Sequence, residues 1–219
     1  MLQMMSKISF ITRICLLAFF INLYTVSIQA QEARVTMEKV ARLFKKQSPC
    51  QFSLELTYFD ELKPISTNTA TLTVDAKRFK FQNPEMTVWF DGRTQWSHFA
   101  GSDEVNVSSP TSSELQSINP MALLDIYKQG YLLSQSIVKY AGKECTQVTM
   151  RSTVKTSPIS TILLVIDNVG NPLSIRLKQK SGNWLRIRVM DRKSLGKVKD
   201  DFFKFNPKDN LSLQIIDLR

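Results

Sequence analysis

Short runs in which apolar and polar residues alternate, each ended by a turn residue, recur along most of this chain and restrict it to a β-rich fold. Phe52, Leu54, Leu56 and Tyr58 alternate with Ser53, Glu55 and Thr57, the period of two that a strand with one buried face requires. The pattern returns with Leu72 and Val74, and again with Phe79 and Phe81 between Arg78 and Lys80. Val88, Trp89 and Phe90 then run into Asp91-Gly92, and the chain comes back through Trp96 to Val105 and Val107. Asp-Gly between β-rich runs predicts a two-residue type I′ turn, with φ positive at both residues. Further strands are expected over Leu132–Tyr140, Glu144–Arg151 and Thr161–Asp167, and around Ile175 and Leu177, Leu185 to Val189, and Phe203 with Phe205. Ten or eleven strands at hairpin spacing, with few helices, predict one domain built as an antiparallel barrel or strongly curved sheet.

Two helices interrupt the pattern. Met37, Val40, Ala41 and Phe44 share one face of a helix over Glu32–Gln47, and Ser48-Pro49 ends it. Asn119-Pro120 reads as an N-cap followed by the first helical residue of a short helix over Met121–Lys128. That helix would present Leu123, Leu124 and Tyr127, with Gly130 as its stop. An apolar helix amid strands is expected to lie as a lid over one end of the sheet.

The first thirty residues stand apart. Lys7 and Arg13 precede the apolar run Ile14–Ile21, and Ala30 is the expected cleavage position, the order of a secretory signal. Residues 31–219 then form the mature domain. Of the chain's net charge of +10, two charges belong to Lys7 and Arg13. The remaining basic residues are interspersed, with Arg176, Lys178, Arg186 and Arg188 at strand spacing. They predict a solvated sheet face, or attraction to an anionic membrane surface or acidic partner, rather than nucleic-acid binding. In an oxidising compartment Cys50 and Cys145 are candidates for a disulfide, with pairing and free thiols equally open.

Groups able to move protons or hold a metal are scarce. His98 is the one histidine, and no nucleophile elbow, zinc-binding helix or phosphate-cradling glycine loop is present. Asp200-Asp201 are adjacent in an expected strand and so point apart. No catalysis, metal or cofactor is expected. Apolar surface, by contrast, is abundant. Phe52, Leu54, Leu56, Leu72, Val74, Phe79, Phe81, Val88, Phe90, Ile175 and Leu177, with Leu123 and Leu124 of the short helix, form the expected inward set. Trp96 joins them as a candidate whose side of the sheet strand parity leaves open. A packed core and the wall of a ligand cavity both satisfy this pattern.

Asp91-Gly92-x-Thr94-x-Trp96 after an aromatic strand resembles the hairpin of the LolA family of periplasmic lipoprotein carriers. The leader, the first helix, Glu104-Val105, Asn119-Pro120, Phe203-x-Phe205 before a proline, and the terminal Asp217-Leu218-Arg219 agree in order and spacing. The resemblance implies an unclosed antiparallel β-barrel with helices over its open face and an apolar acyl-binding cavity. It implies a monomeric periplasmic carrier that takes acylated lipoproteins from an inner-membrane ABC-type release complex to an outer-membrane acceptor. Family members place an Arg-Pro pair near the third strand, where the arginine holds the lid closed. Here the local sequence is Lys77-Arg78-Phe79, which leaves Arg78 as the lid-closure candidate. The other expectations are a lipid-binding or sensing protein of the same fold, and a non-catalytic envelope adaptor working through the basic sheet face.

Overall fold

The computed structural model describes residues 29–111, 126–128, 130–209 and 212–219. Residues 29–46 form helix α1, whose buried residues Ala33, Met37, Val40 and Phe44 recur at intervals of three and four, one stripe of an α-helix. The strands follow as β1 (Cys50–Asp60), β2 (Lys63–Asp75), β3 (Arg78–Gln82), β4 (Met86–Phe90), β5 (Gln95–Phe99) and β6 (Glu104–Ser108). After the Ile126–Lys128 segment come β7 (Tyr131–Tyr140), β8 (Lys143–Ser152), β9 (Ile159–Ile166), β10 (Pro172–Gln179), β11 (Trp184–Ser194) and, last, β12 (Gln214–Asp217). Among the described residues no helix is long and apolar enough to cross a membrane.

All twelve strands form one unclosed sheet, in the order β12-β6-β5-β4-β3-β2-β1-β11-β10-β9-β8-β7. Each arm is a meander of neighbouring strands. The arms meet where β1 pairs antiparallel with β11, from Cys50↔Ser194 to Phe59↔Trp184, with a bulge beside Leu54. The last strand, β12, is parallel to β6, an exception to the antiparallel expectation.

Two further expectations change, and the open question of cysteine pairing closes. Only Gly92 of the Asp91-Gly92 pair has positive φ, at 102°, so the turn is not type I′. The Asp91 carboxylate instead accepts from the backbone N–H groups of Arg93 and Thr94 at 3.0 and 2.8 Å, holding a wider loop by an Asx-type turn. Phe203 and Phe205 lie in no strand. Asp200–Phe203 is a 3-10 helix that packs both rings onto the face of the sheet opposite α1. Cys50 and Cys145 are both free and buried. Cys50 belongs to the core beneath α1. Cys145 has the opposite parity to the core residues Val148 and Met150 and faces the other side, four strands away in the sheet order, which rules out disulfide geometry.

Candidate functional site

The inner face, the one α1 covers, is largely apolar from β4 through β1 to β8 but unevenly sealed, and it turns polar on β5 and β6, where Gln95, Ser97, Asn106 and Ser108 share it. At one end, where β1 starts and β2 ends, Cys50, Phe52, Val74, Phe79 and Phe90 are at most 4% exposed. Phe44 of α1 stacks on Phe52 with ring centroids 5.7 Å apart, and Phe79 meets its cross-strand partner Phe90 at 5.3 Å. The β9–β10 loop closes over α1 from the side. Gly170, at φ +111°, brings its backbone so near that an added Cβ would touch the Leu43 side chain at 3.6 Å. The Asp167 carboxylate holds that loop by accepting from the backbone N–H groups of Val169, Gly170 and Asn171.

The other end is only half covered. Tyr58, Phe81, Met86, Tyr131, Leu133, Ile159, Leu177 and Leu185 all pack against the core while staying partly exposed. Strand register aligns six side chains into one row, of which Ile162 and Met150 are fully buried and the other four stay partly exposed. It runs Tyr58, Leu185, Leu177, Ile162, Met150, Leu133 across β1, β11, β10, β9, β8 and β7. Five inter-strand steps of about 4.8 Å make this row roughly 24 Å long. Immediately before β7, Ile126 and Tyr127 are buried in the same core. At the rim, burial and then the nearby Glu85 charge push the Tyr58 phenol upward, and the Asn68 amide donates to Glu85 Oε1 at 2.7 Å. These are surfaces for apolar matter with a thin polar edge. Among the described residues no group of three His, Cys, Asp or Glu is placed to hold a metal ion.

The sequence candidates divide accordingly. Phe52, Leu54, Leu56, Leu72, Val74, Phe79, Val88, Phe90 and Ile175 are in the buried core of the inner face, and Phe81 and Leu177 lie partly buried beside it. Leu123 and Leu124 lie outside the described residues, as does most of the short helix expected around them.

Trp96 is a correction. It pairs with Trp89 and Val107, and Trp89 stacks edge-on with Phe205 at 5.5 Å on the opposite, outer face. Arg78 is a second. It alternates with the inward Phe79, and so projects outward to pair with Asp75 and, at 2.5 Å, with Asp200, its guanidinium 4.8 Å from the Phe203 ring. It fastens the C-terminal segment to the outer face of the sheet.

The open-end residues Leu133, Ile159 and Leu185 were missed as site candidates. Alternation placed Leu133 and Leu185 on strands, but only the register shows that they fall in line with Leu177; Ile159 lies outside that row, opposite Gln179.

Residues 23–182 match the family described as outer membrane lipoprotein carrier protein LolA. No curated protein sequence matches the chain significantly. Among solved structures it is similar to a LolA superfamily protein from Nitrosomonas europaea, at 10% identity and a TM-score of 0.45 over 79% of this chain and 97% of that one. It is also similar to a putative outer membrane lipoprotein-sorting protein domain from Vibrio parahaemolyticus (14% identity, TM-score 0.41, 82% and 99% covered). A third is the Mycobacterium tuberculosis lipoprotein LppX, at 11% identity and a TM-score of 0.41, over 76% and 99% of the two chains.

Proposed function

We propose, since this chain belongs to the family of the outer membrane lipoprotein carrier protein LolA, that it is an exported carrier of acylated lipoproteins. Residues 1–30 are the cleaved leader, and the mature domain works in the periplasm as a monomer without catalysis. It takes its cargo from an inner-membrane ABC-type release complex and passes it to an outer-membrane acceptor.

The observation that carries this reading is the apolar row from Tyr58 to Leu133, in which Tyr58, Leu185, Leu177 and Leu133 stay partly exposed on either side of the buried Ile162 and Met150. Each acyl methylene hidden from water is worth about 0.8 kcal/mol, so a long chain lying along such a row repays its transfer out of a membrane. The sealed end supplies the rigid half of the binding face, and the open end supplies access. The segment before β7, which buries Ile126 and Tyr127, is the natural cover that an acyl chain displaces.

Uptake of a fluorescent fatty acid by the purified mature protein tests the reading. Leu177→Asp and Leu185→Asp put a charge into the row at half-exposed positions, and should abolish uptake while circular dichroism stays that of the wild type. Wild-type protein that takes up no probe, or folded variants that take it up undiminished, would sink the carrier function.

A second reading, an envelope adaptor, draws on the outer face of β10 and β11. There Arg186 and Arg188 share the single carboxylate of Glu55 at 3.6 and 3.1 Å, and Arg176 and Lys178 lie over Trp184. Association through that face should weaken steeply with salt, whereas acyl uptake should not.

A further inference from the structure

On the outer face, away from the acyl row, the C-terminal segment and strands β3 and β4 enclose a cleft of about 430 Å³, within the range of small-ligand sites. Its floor is the Trp89 ring, and Lys80 enters beside it. The Lys80 ammonium sits 5.4 Å from the Trp89 centroid and 4.9 Å from that of Phe202. Burial pushes its pKa down, and among the described residues no carboxylate pairs with it. Its neighbour Arg78 is already neutralised by Asp75 and Asp200. Lys199 and Lys204 complete the lining, with Asp201 as the one acidic group. The lining carries three cations against one anion, with the Asp200 carboxylate also close enough to act on Lys204.

We propose that this cleft binds a phosphate monoester, with Lys80 as the central contact and Lys199 and Lys204 closing on the phosphate oxygens. A monoester carries about −1.5 to −2 charge at neutral pH and three acceptor oxygens, so it can meet Lys80, Lys199 and Lys204 together, whereas a carboxylate offers two oxygens and one charge. Lysine meets phosphate as a point charge and needs no planar fork. The Trp89 and Phe202 rings leave an apolar wall for the carbon part of the ester. The phosphate belongs either to a small soluble ester or to a lipid headgroup.

The test is calorimetric titration of the full mature chain with glycerol 3-phosphate, alongside flotation with vesicles of phosphatidylcholine containing or lacking phosphatidic acid. Saturable binding in either arm supports the site, and which arm responds identifies the source of the phosphate. Lys80→Met, which keeps the aliphatic packing, should weaken binding at least tenfold, and the exposed Lys204→Glu should do so as well. Lys178→Glu, on the distant basic face, should leave it within twofold. Absence of binding in both arms overturns the proposal. So does equal weakening by all three substitutions, which would reduce the effect to net charge. Leu185→Asp separates the two sites: it should leave phosphate binding intact even where acyl uptake is lost.

Discussion

The two ends of the inner face share β1 and the same apolar residue types, yet one is sealed and the other only partly covered. At the sealed end a helix covers strands β1 to β4, and Phe79 has no exposed surface. At the open end Leu185 and Leu177 have cross-strand neighbours but no layer fully above them. Apolarity alone therefore does not separate core from binding face. What separates them is whether a second element is stacked on the row. Stability and access are assigned to opposite ends of one continuous surface.

Truncation should show that division most strongly. Phe79→Ala removes a fully buried ring from the sealed end and is expected to cost about 3–5 kcal/mol. Leu185→Ala at the open end should cost clearly less, because part of that side chain already meets solvent. Denaturant midpoints measure both, and equal losses would break the comparison. Gly170→Ala tests the loop that closes over α1. Its φ of +111° is strained for any residue with a Cβ, for a cost of about 1–2 kcal/mol. Because the nearest atom, Leu43 Cδ2, lies at ordinary contact distance, a larger loss in a thermal melt would mean that the loop is packed more tightly than described.

A smaller effect comes from Asp167 in the same loop. Burial alone raises its pKa, but hydrogen bonds from the Asn171 side chain and from the backbone N–H groups of Asn171, Gly170 and Val169 hold it below the usual carboxylate value. A folded-state pKa below the unfolded one contributes stability above about pH 4, which is lost as pH falls through the folded value. The stability advantage of the wild type over Asp167→Asn should therefore shrink as pH drops from about 6 towards 3. An advantage that is constant with pH would refute the assignment. The smallest expected effect is none at all. Reductant should leave the melting temperature unchanged, and both Cys50 and Cys145 should become alkylated only on unfolding. Burial pushes the Cys50 thiol upward against the opposing influence of Arg192, which keeps it unreactive.

Much of the inner face could be read from alternation, because a strand with one buried side has no other way to distribute Phe52, Leu54 and Leu56. Parity within a strand does not say which face is inner, and for Trp96 that information came only from its register with Trp89. The C-terminal segment misled for a different reason. Phe203 and Phe205, two residues apart, imitate a strand period, but adjacent Asp200 and Asp201 favour a helical turn that carries both rings onto the outer face. Arg78 followed from the same omission, since its partner Asp200 is 122 residues away in sequence and no local pattern reports such a pairing. The row from Tyr58 to Leu133 was hidden likewise, because it exists only across six strands.

The seam between β1 and β11 governs how the chain must be made. Each arm can form hairpin by hairpin, but β1 finds its second neighbour only when Trp184–Ser194 docks beside it. Until then the first strand offers an unpaired edge bearing Phe52, Leu54 and Leu56, the kind of edge that recruits other chains. Closing the seam also requires ordering a long intervening loop, a slow step in folding. The partly folded chain is thus at greatest risk of aggregation before the seam closes, and any factor that shields β1 during that interval raises the yield of folded protein.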